Sequence, residues 1–433
     1  MSKSIFENQY NTTYISRIEK LRPYLHNKVQ QKWNIEPLIS ISEIEKSTNN
    51  KVAIIGIIFI SSNLKNSIFK ELSNYNVTKS KNIKETDILE SNTYISENIK
   101  YFIEDITGRM ELEFENIEKI YEDCFVITTG MCVALFGNKN NQGKFLVSDI
   151  SFAGYQNNKL DIVGIVENKI SVPEMHLSEA NKNKNEIQSH NVLFISGINM
   201  SSKNTNKNKI LLIFDYLNGK HGKIFSNIDT VIILGNFYDS EEKEALEWLI
   251  HINILIKKAK LTSKIRIIVV PNLNDPSSKA YPIECLNKKL FSEDFESCEN
   301  PCCTKIDQKT LLITSGENIF DVLRYLPHGN ISSDWDKSNI YKKENVTKTM
   351  DVLLQSMYLC PTAPDTLLSN PLESQESFYL EKTPDFFICG NTNGFSFTEK
   401  NGCVLVTLPS FSKSGEIVVF DINSFKYEII QFN

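Results

Sequence analysis

The chain has 433 residues, too many for one ordinary domain and enough for two or three. Its hydrophobic fraction of 41% supports conventional buried cores, and a net charge of −6 excludes a global basic field for non-specific nucleic-acid binding. Nine cysteines, no apolar leader over Met1–Asn8 and no apolar run long enough to cross a bilayer lead to the expectation of a soluble intracellular protein.

In chain order, residues 10–36 read as helix, because Tyr14, Ile15, Ile18, Leu21 and Leu25 recur three or four apart. Pro23 falls inside this pattern and predicts a kink or a break. The whole segment 1–45 is expected to pack on the larger C-terminal domain. The period then changes. Lys51–Ser61 is an Ile-rich strand with Gly56 as a bulge, and Tyr101–Phe114 is a hairpin in which Gly108 supplies a positive φ. Further strands are expected at Phe125–Thr128, Met131–Phe136 and Phe145–Phe152. Five or six short strands predict an oligonucleotide/oligosaccharide-binding (OB) barrel over residues 46–155, with a generic β-sandwich as the alternative. Residues 156–190 read as linker and loop, and the Lys/Asn/Ser/Glu-rich stretches 75–95 and 177–209 as solvated loops.

From residue 191 to 433 strands alternate with helices, then give way to a strand-rich end. Val192–Ile195, Val231–Leu234, Ile265–Val270, Leu311–Ile313, Phe386–Cys389, Val404–Leu408 and Ile417–Ile422 are the apolar runs. After the second of them, Asp239 and Glu242 form a capping box for a helix lined by Leu246, Leu249, Ile252 and Ile256. The expected fold class is α+β or α/β: a β-barrel OB domain joined to a layered α/β sandwich of the metallophosphoesterase kind.

Four of these runs end in short turns: Ser196-Gly197-Ile198, Gly235–Asp239, Pro271–Asp275 and Gly390–Asn393. The carboxyl ends of strands are where a layered α/β fold places its chemistry. A two-metal phosphoesterase would need Asp-x-His, Gly-Asp-x-x-Asp, Gly-Asn-His and Gly-His-x-His here. The positions that stand in for ligands are Ser196, Asn236, Asp239, Asn274, Asp275, Asn391 and Asn393. Amide oxygens carry no charge to offset two divalent cations, so no metal centre, catalytic residue or cofactor is expected. Asp239 has a competing role as the helix cap.

Other constellations are weaker. None of the six histidines falls on a ligand turn. Cys298-x-x-x-Cys302-Cys303 has no second pair nearby to complete a zinc site, so ordinary loop cysteines are expected. Ser315 lacks a nucleophile elbow and reads as a turn or cap residue. Glu104, Asp105, Glu111, Glu113 and Glu115 on the barrel strands would repel a phosphate backbone.

One segment carries a resemblance. Cys360-Pro-Thr-Ala-Pro-Asp-Thr-Leu367 is similar to the signature of the small (B) subunit family of DNA polymerase delta. Thr107-Gly108-Arg109, Ser196-Gly197, Leu234-Gly-Asn, Asp275-Pro276, Thr314-Ser-Gly and Cys389-Gly-Asn-Thr follow in that family's order, from about residue 10 to the end. The Asn/Lys-rich loops 177–209 and 330–347 depart from it. The resemblance implies a degenerate, non-catalytic phosphoesterase-like domain beside the OB domain, and a nuclear scaffold for DNA replication and repair. It implies two partners: the cysteine-rich C-terminal domain of the catalytic subunit, and an accessory third subunit linking to the sliding clamp. DNA would be met only indirectly and a membrane not at all; any metal or iron–sulfur cluster would belong to the catalytic subunit. Pro361, Thr362, Ala363, Pro364, Asp365, Thr366 and Leu367 are the candidate partner-facing loop. Two alternatives remain open at this stage. One is an active metal-dependent phosphodiesterase or 3′→5′ exonuclease; the other is a single-stranded DNA-binding module built on the barrel.

Overall fold

The computed structural model describes residues 11–46, 50–65, 93–96, 98–156, 189–199, 207–217, 227–237, 250, 253, 257, 265–287, 289, 295–327, 340–370 and 378–432. Helix α1 (Asn11–Trp33) runs unbroken through Pro23, so of the kink or break expected there the break does not occur. Pro23 and Glu19, whose carbonyl loses its intrahelical donor, are both exposed, so that loss falls on the solvent side while Leu21, Leu25 and Val29 stay fully buried. Burying such side chains stabilises by roughly 1.5–3 kcal/mol each. They rest on Ala53, Ile55, Ile57, Cys132 and Ala134, with Met357 at the margin. The helix therefore packs chiefly on the barrel, correcting the expectation that it packs on the larger domain.

The barrel strands are β1 (Val52–Ser61), β2 (Lys100–Asp105), β3 (Gly108–Phe114), β4 (Cys132–Lys139) and β5 (Phe145–Ser151). Their order is β1-β2-β3-β5-β4, and β4 pairs back to β1. The unbroken apolar run of β1 follows from burial on both faces. Ile54, Ile58 and Ile60 enter the barrel core, while Ala53, Ile55 and Ile57 lie under α1.

Three local expectations change. Gly56 is not a bulge, since its pairing with Val133 is regular; a Cβ there would sit 2.7 Å from the Glu104 carbonyl, so the glycine serves close strand approach. Gly108 is outside the left-handed region, and the hairpin is held instead by Asp105, whose carboxylate accepts from the Thr107 N–H (2.7 Å) and the Gly108 N–H (3.1 Å). Phe125–Thr128 is not a strand but follows helix α2 (Ile117–Cys124), capped by Asn116, whose side chain accepts from Lys119 N at 3.0 Å.

The C-terminal part stacks two sheets. One has six strands: β6 (Asn191–Ser196), β7 (Ile228–Leu234), β8 (Arg266–Val270), β9 (Glu296–Ser297), β15 (Glu416–Asp421) and β16 (Tyr427–Gln431), in the order β16-β15-β6-β7-β8-β9. The other has β10 (Cys302–Ile306), β11 (Lys309–Thr314), β12 (Phe386–Thr392), β13 (Ser396–Lys400) and β14 (Cys403–Pro409), in the order β10-β11-β12-β14-β13. Phe194, Ile232, Leu234 and Ile268 meet Ile313, Phe386, Ile388 and Val406 between the sheets. Helix α3 (Lys207–Leu217) covers the outer face of the first sheet through Ile210, Ile213 and Leu217. Helices α4 (Glu317–Leu323) and α5 (Lys343–Ser356) cover the second, and their apolar contacts run on without interruption into the barrel core. The layering is helix, sheet, sheet, helix. The helix expected after Asp239 lies outside the described residues except for a few positions.

Candidate functional site: the turns at the strand ends

Strands β6, β7, β8 and β12 are parallel neighbours or face one another across the sandwich, so their carboxyl ends come together and bring their turns into contact. The Ser196 hydroxyl, buried at the end of β6, accepts from the Asn391 N–H near the end of β12 at 2.7 Å. Asn391 takes a φ of 57°, which its short amide tolerates, and its side-chain amide donates to the Ser315 carbonyl at 2.8 Å. Asn236, φ 65°, accepts through its Oδ1 from Asn274 Nδ2 at 3.2 Å. Asn393 is exposed at the rim. Asp239 lies outside the described residues.

Asp275 is the centre of the cluster and is fully buried. Its Oδ2 accepts from the backbone N–H of Asn236 (2.9 Å) and of Asn272 (2.8 Å), and its Oδ1 from that of Phe237 (2.7 Å). The carboxyl thus closes two turns from within. Burial pushes it up to about 7, against the pull of these three donors toward the charged form, and nearby Glu317 adds to the rise.

Of the residues that tie this cluster to α4, sequence reasoning named only Ser315, as a turn or cap, and missed Glu317, Tyr281 and Asn300. Glu317 accepts from Tyr281 Oη (2.8 Å), Ser315 Oγ (2.6 Å), Asn300 Nδ2 (3.3 Å) and Leu273 N (3.3 Å). The Ser315 hydroxyl also lies 3.2 Å from the Pro271 carbonyl, while the N-cap position of α4 is Gly316 rather than Ser315. The only sequence signal was Ser-Gly-Glu after an apolar run, which reads as an ordinary helix start.

The Pro361–Leu367 loop faces inward more than outward. Pro361, Thr362, Ala363 and Leu367 are buried, and only Asp365 is exposed. Arg17 of α1, 1% exposed, reaches it across the barrel wall. Its guanidinium donates to the carbonyls of Gly130 (2.6 Å), Pro361 (3.2 Å) and Ala363 (3.2 Å), and to the Tyr358 hydroxyl (2.8 Å). Gly130, φ +79°, is required at this crossing because a Cβ would sit 1.8 Å from the Pro361 carbonyl oxygen. Thr366 donates to buried Asp321 at 2.6 Å, as does Tyr94 from beside the barrel at 3.1 Å, and Lys65 pairs with Asp365. Burial pushes the Asp321 carboxyl up. This junction locks helix, barrel and sandwich together.

Two remaining clusters lie elsewhere. His190 bridges Asp307 (3.2 Å) and Thr230 (3.0 Å) at the amino ends of β6 and β7, but Thr230 is 1% exposed and presents no hydroxyl to a substrate. Among the described residues, no three His, Cys, Asp or Glu side chains gather to hold a metal; this includes the cysteines around Cys298 and Cys302.

Comparison with known proteins adds an independent line. Residues 9–150 match the family model described as the DNA polymerase delta subunit OB-fold domain, and residues 192–398 match the model for the B subunit of DNA polymerase alpha/epsilon. The chain is 25% identical to the DNA polymerase delta small subunit of Oryza sativa subsp. japonica, over 98% of the chain and 93% of that protein. The small subunit from Saccharomyces cerevisiae is 25% identical over 76% of the chain and 70% of its own length. The Drosophila melanogaster DNA polymerase delta subunit 2 is 22% identical over 99% and 94%. Among solved structures, a Zn-complexed Vps29 from Entamoeba histolytica covers 56% of this chain at 15% identity and a TM-score of 0.24, too slight a likeness to carry any argument.

Proposed function

The chain belongs to the DNA polymerase delta small-subunit family, and from that premise we propose that this accessory subunit of the replicative polymerase is itself non-catalytic, a scaffold within the complex. One observation carries the non-catalytic reading. Both oxygens of Asp275 are taken up by three backbone N–H groups, and Asn236–Asn274 and Ser196–Asn391 bond directly across the space between the turns. A two-metal centre needs charged donors with free lone pairs converging on that space. The described turn residues do not fit one.

The same bonds support the scaffold role. Turns stitched together by hydrogen bonds keep a sandwich rigid without a cation, and a rigid body is what holds other subunits in place. The partners proposed are the catalytic subunit, through its cysteine-rich C-terminal domain, and a third subunit linking to the sliding clamp, in the nucleus. Within 361–367 only Asp365 is exposed, and Leu368 next to the loop, 60% exposed, extends that surface toward a partner.

The test is a manganese-supplemented nuclease assay on the purified chain, with co-expression of the catalytic subunit in parallel. The expected result is no metal-dependent turnover and a stable complex. Turnover that disappears in an Asp275→Ala or Asp239→Ala variant would overturn the non-catalytic reading, and failure to co-purify would overturn the scaffold.

A further inference from the structure

Cys298-x-x-x-Cys302-Cys303 reads in sequence as ordinary loop cysteines, but the fold brings two of its thiols into contact. Cys298 directly follows β9, and its N–H donates to the Val269 carbonyl at 2.9 Å. Cys302 opens β10, where it pairs with Ile313. The chain between them passes from the edge of one sheet to the edge of the other. Asn300 pins that crossing. It is fully buried, exchanges both backbone bonds with Ile283 at 2.9 Å, and accepts from the Ser315 N–H at 3.3 Å. Both cysteines therefore sit on backbone fixed by ladder bonds, and their approach does not depend on a loose loop.

The two thiols are unlike. Cys302, 6% exposed, belongs to the apolar cluster between the sheets, and the more exposed Cys298 packs against it. The Cys302 S–H donates to the Cys298 sulfur and so draws the Cys298 thiol below its ordinary range. The Arg266 guanidinium adds to the pull, against burial and the carboxylates of Glu296 and Glu299. The same bond, with burial, pushes Cys302 up. Desolvation raises each of the remaining cysteines, so Cys298 alone combines access with thiolate character. Strand alternation turns exposed Cys303 to the face of β10 opposite Cys302.

We propose that Cys298 and Cys302 form a reversible oxidation site that closes to a disulfide in reaction with hydrogen peroxide. The Cys298 thiolate attacks one peroxide oxygen. The O–O bond breaks, the sulfur becomes a sulfenic acid, and the departing hydroxide takes up the proton that Cys298 gave up. The Cys302 sulfur then attacks the sulfenic sulfur. The S–S bond forms as the S–O bond breaks, and the oxygen leaves as water with the Cys302 proton. Two thiols are oxidised, one peroxide is reduced, and two waters result. Because the second thiol is already in contact, the sulfenic acid is captured before another peroxide takes it to sulfinic acid. In a reducing compartment the resting state is the dithiol, and a dithiol reductant restores it. The inference stands on the thiol pair and is independent of the scaffold role.

The test is oxidation of the intact, folded chain with hydrogen peroxide. Alkylation of the remaining thiols follows, then peptide mass mapping with cleavage at Glu299, between the two cysteines. The expected product is a Cys298–Cys302 link, about 2 Da lighter than the dithiol and reversed by dithiothreitol. In the untreated chain Cys298 is expected to alkylate at least about tenfold faster than Cys302. Cys303→Ser should keep the link, whereas Cys302→Ser should lose it and accumulate sulfinic acid at Cys298. Sulfinic acid at Cys298 of the wild-type chain, with Cys302 still reduced, overturns the proposal. So does a pair that stays reduced, a link to Cys285 or Cys303 instead, or a link that forms only after denaturation. Should a serine variant fail to fold, mapping of the wild-type chain decides.

Discussion

Two buried polar clusters in this molecule are built on opposite plans. The turns at the strand ends are held by neutral amides and hydroxyls around one carboxyl whose charge burial suppresses, and each partner is supplied by an adjacent strand end. The junction at Arg17 is held by a guanidinium, which keeps its charge at any ordinary pH and whose two terminal nitrogens donate to four oxygens from the barrel and the sandwich. Polar groups at strand ends can rely on one another because the sheet already places them side by side. A junction between domains has no such frame, and a long side chain with several donors has to span the gap. The first cluster makes one layer pair rigid; the second decides how the parts of the chain are mounted.

This contrast can be broken by mutation. The largest effect is expected at the junction. Arg17→Met leaves three buried carbonyls and a hydroxyl without their donor, a loss of at least about 3 kcal/mol, since bonds to a charged group contribute roughly 1.5–3 kcal/mol each. Denaturant unfolding would measure it, with barrel and sandwich losing their common transition. A loss under about 1 kcal/mol would mean that the junction is mere contact.

Asp275→Ala comes next, at roughly 2–3 kcal/mol, because three buried N–H groups lose their acceptor. The size should depend on pH. The folded carboxyl is raised to about 7, above its ordinary unfolded value, so its stabilising contribution is complete below about pH 4 and is lost as pH rises through 7. The gap in melting temperature between wild type and Asp275→Ala should therefore narrow from pH 5 to pH 8. A gap that stays constant over that range would show the carboxylate to be charged throughout it. Ser196→Ala should be the mildest, about 1 kcal/mol for one lost bond to Asn391 N, read as a small shift in melting temperature. An effect as large as that of Arg17→Met would erase the distinction between the two clusters.

Much of the fold was legible where burial is two-sided. Every apolar run expected as a strand after residue 190 is one, because strands covered on both faces read as near-continuous Val, Ile, Leu and Phe. The strands that escaped notice are half-exposed. Strands β10, β13 and β16 mix charged and apolar residues without clean alternation, and β16 reads Tyr-Glu-Ile-Ile-Gln. Helix α2 had a readable cap in Asn116 with Glu118 in its first turn, but the run Phe125-Val-Ile after it drew attention to a strand. The break expected at Pro23 failed because local propensity does not reveal which side of a helix faces water.

The candidate site divides in the same way. Sequence by itself determined that the four turns follow strands and carry amides where a phosphoesterase carries acids and histidines, since identity and spacing are local properties. It also placed Pro361–Leu367 among residues of interest. Only the tertiary structure decided what those residues touch: Asp275 turned inward onto three N–H groups, Glu317 gathering donors from three other segments, and the 361–367 loop clasped by a residue 344 positions away. The reason is physical. A hydrogen-bond partner is chosen by where the backbone brings it, and a buried donor accepts whichever oxygen the packing delivers.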